Sequence, residues 1–175
     1  MQEHIQNELA SFIANCDWEK IAPHFKEDAA YRVLDWIGCA VAGEHYPQVE
    51  IAQKYFIENG DQGNSTVIGH QTKCSPRTAA FLNGIAGHVC ELDDGHRTAI
   101  GHPGSIAVPT ALALGEHLNA SGADVLKAVI LGYEVFSRLG RTVNPSHYRT
   151  WHTTGTCGTI AAAAAAASLL KLSAE

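Results

Sequence analysis

Apolar residues recur three or four positions apart along most of this 175-residue chain, which is the spacing of one face of an α-helix. The pattern occupies 5–13, 33–41, 47–59, 76–91, 105–118 and 123–140. A last run, IAAAAAAASLLKL, consists mainly of alanine, which has the highest helix propensity and lets helices approach closely. STVIG is the only segment that reads as a strand. The sequence therefore predicts an all-α fold.

Serine, proline and glycine mark the predicted helix ends. Ser75 followed by Pro76 is typical of an N-cap and a first-turn proline, and Gly43 stands where a C-cap glycine would. Another helix is predicted to end near Gly140. A chain of 175 residues is the size of one domain. Because Ser173 resembles an N-cap with no helix after it, we expect one helical domain over 1–175 that is cut short.

Charge and composition limit the classes of molecule that this chain is expected to bind. The net charge is −6 with only 12 Lys and Arg, which argues against nucleic acid and anionic membranes as partners. No stretch of twenty uninterrupted apolar residues occurs, so no membrane span is predicted. The N-terminus lacks the pattern of a signal peptide, and the five cysteines are odd in number and scattered. These features predict a cytoplasmic protein with reduced thiols and a small ligand.

Two segments place a histidine, hydroxyls and glycines directly before a predicted helix. They are GHPGS, with His102, Gly104 and Ser105, and WHTTGTCG, with His152 and Thr154. A helix N-terminus offers unpaired N–H groups that bind anions, and an imidazole can add a hydrogen bond or a proton. The pattern predicts binding of a ligand with several carboxylates. The alternative is that the hydroxyls only cap helices and the histidines are surface groups.

The acidic residues of LDDGHR need a different role, because a carboxylate repels an anionic ligand. Asp93 or Asp94 could hold an imidazole in one tautomer, or take a proton from carbon if burial raises its pKa. The spacing of Asp94 and His96 permits such a pair. The alternative is an exposed Asp-Gly turn in which both aspartates bond to backbone amides.

A metal centre is an alternative to these roles. His88, Asp93, Asp94, His96 and His102 are residue types that bind zinc, manganese or iron. No pair of them has the helical His-x-x-x-His spacing, and no calcium-type loop is present. We therefore expect neither a metal nor another cofactor.

Five ordered motifs resemble the MmgE/PrpD family over most of the chain. They are VLDWIGCAVAG, STVIG with AAFLNGIAGHVCELDD, HPGS, GYEVFSRLG and HTTGTCG. The resemblance implies the N-terminal part of the family's helical domain, which is usually dimeric and metal-independent. Members are more than twice this long, so their second, α/β domain is expected to be missing here.

The resemblance also implies a chemistry. Family members remove a proton next to a carboxylate of a small polycarboxylate, as in 2-methylcitrate dehydration, cis-aconitate decarboxylation and iminodisuccinate epimerisation. By motif, His102 and His152 match the two family histidines, Asp94 matches an acidic-loop residue, and Thr98 stands near a family threonine. We expect a lyase in which Asp94, His96, His102 and His152 are catalytic and the remaining residues bind substrate. The substrate-binding set is Asp93, Thr98, Gly104, Ser105 and Thr154.

Three functions remain open at this point. The first is this lyase, with the 175-residue chain alone inactive. The second is a non-catalytic helical remnant that dimerises or binds anions. The third and least favoured is a metal-dependent hydrolase.

Overall fold

The computed structural model describes residues 5–71 and 73–175. Within these residues the chain forms seven α-helices, two short 3-10 helices and one two-stranded sheet. The helices are α1 (Ile5–Ala14), α2 (Pro23–Gly43), α3 (Pro47–Glu58), α4 (Pro76–His88), α5 (Gly104–Leu118), α6 (Gly122–Val143) and α7 (Thr153–Leu170). The 3-10 helices are Trp18–Lys20 and His147–Arg149, and the strands are β1 (Ser65–Thr66) and β2 (Lys73–Cys74). The predicted all-α fold is confirmed.

Helix α5 lies at the centre of the fold. It contacts α2, α4, α6, α7 and β1, and most of its side chains that face these neighbours are small, such as Ala107 and Ala111. The main core collects around it from several helices. Its largest members are Trp36, Val49, Val108, Val129 and Leu169. The loop before α5, which carries the acidic residues, therefore leads directly into the central helix of the fold.

Glycines allow α2 and α4 to cross closely. A Cβ atom on Gly43 would overlap the backbone carbonyl of Ala86, and one on Gly87 would overlap the indole of Trp36. Gly43 was predicted to end α2 as a C-cap glycine. It is instead the last helical residue, followed by Glu44 in a right-handed helical conformation. Gly43 is needed here for close packing and not for a left-handed turn.

Among the other predicted boundaries, the start of α4 is confirmed, whereas the end of α6 and the length of the strand differ from the prediction. The cap of α4 is confirmed, because the Ser75 hydroxyl accepts the N–H of Thr78 at 3.3 Å. Helix α6 continues past Gly140 to Val143, and Gly140 packs where a Cβ would meet the side chain of Ala99 at 2.6 Å. Of the predicted strand STVIG, only Ser65–Thr66 pairs, antiparallel to β2.

Helix α7 is the alanine-rich helix. By length and composition alone it could cross a membrane. Half of it is buried inside the described fold, with Ala161, Ala165 and Leu169 packed into the core. This burial is the pattern of a helix that packs in the core of a folded domain.

Candidate active site

The two adjacent aspartates of the loop between α4 and α5 lie in different surroundings. The carboxylate of Asp93 is fully buried and lies 3.0 Å from Nδ1 of His88 and 3.5 Å from Nδ1 of His102. Asp94 accepts the backbone N–H of Gly104 at 3.0 Å and a hydrogen bond from Arg32 Nη1 at 3.3 Å. The loop therefore builds two polar centres, one around each aspartate.

Asp94 faces a cleft of about 380 Å³ between α2, α6 and the acidic loop. The polar side chains in its wall are Asp28, Arg32, Asp94, His96, Arg97, Thr98, Tyr133, Glu134 and Ser137. Burial raises the pKa of the Asp94 carboxyl, and the Gly104 N–H, Tyr133 and Arg32 only partly oppose that rise. Burial also raises the pKa of the Tyr133 hydroxyl, helped by the charge of Asp94, so the phenol stays protonated.

The predicted pair of Asp94 and His96 is not formed. Nδ1 of His96 accepts the N–H of Ala99 at 3.1 Å and lies 3.5 Å from the Thr98 hydroxyl. The backbone of His96 also bonds to Gly101 and Ile100, which closes a tight loop. The imidazole of His96 therefore faces the backbone of this loop and not Asp94. Asp93, paired with His88, is the aspartate that orients an imidazole.

His102 joins the starts of α5 and α7. Its backbone N–H donates to the Thr154 hydroxyl at 3.1 Å, and its carbonyl accepts from the Ser105 hydroxyl at 2.9 Å. At Gly101, a Cβ would meet Phe136 at 2.7 Å and Thr154 Oγ1 at 2.9 Å, so the glycine permits this approach. The hydroxyls of Ser105 and Thr154 thus hold the loop at His102.

A second opening, a groove of about 500 Å³, lies on the other side of the GHPGS turn. Its polar wall is His88, Ser105, Thr110, His152 and Thr154, and its apolar wall includes Phe81, Ile85, Ile106 and Pro109. His152 precedes α7 and is exposed, with its ring 6.0 Å from that of Tyr148. His152 therefore borders the groove and not the cleft of Asp94.

The structure divides the predicted residues between these two openings. Asp94, His96 and Thr98 line the cleft, while Ser105, His152 and Thr154 line the groove. His102 is in neither wall and contacts Asp93 at the turn between them. Three of the residues that were expected to be catalytic, Asp94, His102 and His152, therefore do not line one opening in the described part of the chain. The reason is local: Asp94 faces α2 and α6, whereas His102 faces Asp93 and His152 lies at the start of α7.

The predicted anion site at the start of α5 is also occupied by the chain itself. The N–H of Gly104 is bound by Asp94, and a Cβ at Gly104 would overlap the Asp94 carboxylate and approach the Tyr133 hydroxyl to 2.7 Å. The glycine is required for this contact with an internal carboxylate. An external carboxylate would need to displace Asp94 to reach the same N–H.

Sequence reasoning missed three residues of these centres. Arg32 donates Nε to Asp28 at 2.7 Å, which orients its guanidinium toward Asp94, and it lies 5.2 Å from the centre of the Tyr133 ring. The i, i+4 spacing of Asp28 and Arg32 was a visible signal, and Tyr133 stands in the GYEVF motif. The sequence indicates His88 only as a possible metal ligand, because no spacing rule places its side chain against Asp93.

The fold and the two polar centres define an all-helical domain that holds buried carboxylate and imidazole groups beside an open cleft. The chain belongs to the MmgE/PrpD family: residues 7–175 match the model of the MmgE/PrpD N-terminal domain. The resemblance stated from its motifs is confirmed.

Named relatives are similar over nearly the whole chain. The cis-aconitate decarboxylase-like protein oryM of Aspergillus oryzae is 32% identical over 181 residues, which cover 98% of this chain and 38% of the relative. A cis-aconitate decarboxylase of Aspergillus terreus is 32% identical over 98% of this chain and 36% of its own length. The human cis-aconitate decarboxylase is 34% identical over 81% of this chain and 31% of its own. The chain thus spans 31–38% of the length of these relatives.

Proposed function

We propose that this chain forms the helical part of a lyase that acts on a small polycarboxylate, and that the reaction involves proton transfer at a carbon next to a carboxylate. Membership of the MmgE/PrpD family and similarity to proteins named cis-aconitate decarboxylase support this proposal. Cis-aconitate, a tricarboxylate, is the first candidate substrate. Dehydration of 2-methylcitrate and epimerisation of a related acid are the alternatives within the family.

The cleft around Asp94 carries the proposal. The side chain of Asp94 is one-fifth exposed, at 20%, so the carboxylate is desolvated yet reachable from the cleft. A carboxyl group in this setting binds a proton more readily than one in water and suits a general acid or base. Arg97 and His96, in the same wall, supply donors for substrate carboxylates. The volume of about 380 Å³ fits a small organic acid.

We also propose that His102 and His152 donate hydrogen bonds to the substrate. His102 is tied to Asp93 and Thr154, and His152 borders the groove. If the substrate lies only in the Asp94 cleft, replacing His152 will have little effect. Kinetics of single variants therefore distinguish the two openings.

We further propose that the domain forms a homodimer. Large apolar side chains are exposed on several helices, among them Leu34 at 65% and Ile51 at 71%. Exposed apolar surface of this kind is typical of protein contacts. Light scattering at tens of micromolar tests this, and a monomer that binds no apolar dye contradicts it.

The activity is tested with the complete gene product, of which these 175 residues are all or part. Turnover of cis-aconitate and of 2-methylcitrate is followed by NMR, beside the 175-residue chain alone. We expect the chain alone to be inactive, since it spans 36–38% of the Aspergillus relatives and positioned groups supply much of a rate enhancement. The second candidate function is a non-catalytic helical module. It predicts no turnover by any form, and turnover by the complete product excludes it.

A further inference from the structure

Helix α2 presents apolar side chains to solvent along the face opposite the one that packs in the core. Tyr31, Leu34 and Val41 are 63, 65 and 51% exposed, and Gly38 is exposed on the same face. These four residues, here called the α2 seam, are spaced three and four apart, like the a and d positions of a coiled coil. A helix that is apolar on both its inner and its outer face is typical of one that is covered on both sides.

Gly38, in the middle of the α2 seam, is not needed for the folding of a single chain. A Cβ atom on Gly38 would meet nothing within 4 Å among the described residues, whereas one on Gly43 would overlap the backbone of α4. A glycine inside a helix destabilises that helix relative to alanine. An open glycine between Leu34 and Val41 therefore fits a partner helix that places a large side chain in the space at Gly38.

We propose that the α2 seam packs against the α2 seam of a second copy of this chain, with the two helices antiparallel and the two-fold axis at the level of position 36. Leu34 of each copy then faces Gly38 of the other, since both positions lie two residues from 36. Tyr31 faces Val41 in the same way, each five residues from 36. A larger side chain meets a smaller residue in every pair, so the surface is complementary to itself, as a two-fold interface requires.

Charge favours the antiparallel register over a parallel one. Glu27 and His45 continue the spacing of the seam at its two ends, nine residues on either side of 36, and both are exposed. The antiparallel register brings Glu27 of each copy to His45 of the other, whose imidazole can donate a hydrogen bond to the carboxylate. A parallel register would pair Glu27 with Glu27 and leave the space at Gly38 facing another glycine. Asp35, exposed beside the seam, lies near Asp35 of the other copy, and this like-charge pair weakens the dimer.

The α2 seam is separate from the proposed active site. Helix α2 contributes Asp28 and Arg32 to the wall of the Asp94 cleft, and helical periodicity places both on a different side of α2 from the seam. The inference rests on the homodimer proposed above and identifies the surface that forms it, but it does not depend on the lyase reaction. Association is therefore measured without turnover, and a failure of the interface is distinct from a failure of catalysis.

The test is analytical ultracentrifugation of the complete gene product from nanomolar to micromolar concentration. Leu34→Ala and Gly38→Leu should each raise the dimer dissociation constant at least about tenfold, because the first removes the side chain that fills the space and the second fills the space itself. The double variant exchanges the large and the small position, so its dissociation constant should return to within about threefold of the parent value. Asp35→Asn should lower the dissociation constant, because it removes the like-charge pair.

Ile51→Ala, which removes a similarly exposed apolar side chain from α3, is the control and should associate as the parent does. Circular dichroism checks that each variant is folded. A monomeric parent would overturn both this inference and the proposed homodimer. A dimer that Leu34→Ala and Gly38→Leu leave unchanged would overturn the α2 interface alone. The antiparallel register is equally overturned if the double variant associates no more tightly than Gly38→Leu does.

Discussion

The backbone N–H of His102 donates a hydrogen bond to the side-chain hydroxyl of Thr154 over 3.1 Å, across 52 residues of sequence. This bond ties the loop before α5 to the start of α7, so the two histidine motifs of the sequence meet in space. Gly101, in the first of these motifs, has no side chain, and this leaves room for Thr154. The two imidazoles have different surroundings: His102 contacts Asp93, and His152 borders the groove.

The first prediction concerns these two histidines in the complete gene product. His102→Ala and His152→Ala should each lower kcat/KM by roughly 10²-fold or more, the size of an acid–base or charge-stabilising contribution. Steady-state kinetics with cis-aconitate measure this. His117→Ala, at an exposed position near the end of α5, is the control and should change kcat/KM little. An unaffected His152→Ala would show that the substrate does not reach the groove that His152 borders.

A second prediction tests the close crossing of α2 and α4. Gly43→Ala should lower the free energy of unfolding by about 1–3 kcal/mol, because the new methyl group overlaps the Ala86 carbonyl and forces the helices apart. Gly38→Ala, in the same helix with open space around it, should instead raise stability by up to about 1 kcal/mol. Urea denaturation of both variants gives the comparison. Equal effects of the two substitutions contradict the packing argument.

The third prediction concerns pH and Glu116, whose carboxylate joins α5 to the small sheet. It accepts hydrogen bonds from the Thr66 N–H at 2.6 Å and from Lys73 Nζ at 2.7 Å. Partial burial raises the pKa of Glu116, but the bonds from Lys73 and Thr66 outweigh it, and the pKa is lowered overall. A lowered pKa stabilises the fold above the unfolded pKa, about 4.3, and this is lost as pH falls through the folded value.

The measurement is the melting temperature of the parent and of Glu116→Gln between pH 7 and pH 3. Glu116→Gln should melt at a lower temperature at pH 7, and the difference should shrink below about pH 4 as the parent carboxyl takes up its proton. Glu50→Gln, at an exposed position of α3, is the control. A difference between Glu116→Gln and the parent that is constant across the range would show that charge on Glu116 is not involved.

Much of the fold could be predicted, because helical periodicity and capping are local. Ser75 and Pro76 begin α4 as the sequence indicates. The errors arise where tertiary packing decides, as at Gly43 and Gly140, which look like helix ends but serve close contacts. A local pattern gives the position of a glycine, but not which helix will lie against it.

The sequence indicated most of the residues of the candidate site, but not which of them contact one another. The acidic loop and both histidine motifs do lie beside cavities, yet the pairing of Asp93 with His88, rather than Asp94 with His96, depends on how the loop closes over α4. Arg32 reaches Asp94 from 62 residues away. No spacing rule predicts a contact between residues so far apart in the chain, so a single sequence does not reveal it.

We propose that Asp94 transfers the proton in a lyase reaction of a small polycarboxylate. The most direct measurement compares the complete gene product with its Asp94→Asn variant, following cis-aconitate by NMR and finding both kcat and KM. The account predicts turnover by the parent and a fall of roughly 10²-fold or more in kcat with a smaller change in KM, because asparagine keeps the Gly104 contact but cannot accept the proton. A folded Asp94→Asn variant that decarboxylates cis-aconitate at the parental rate would contradict it.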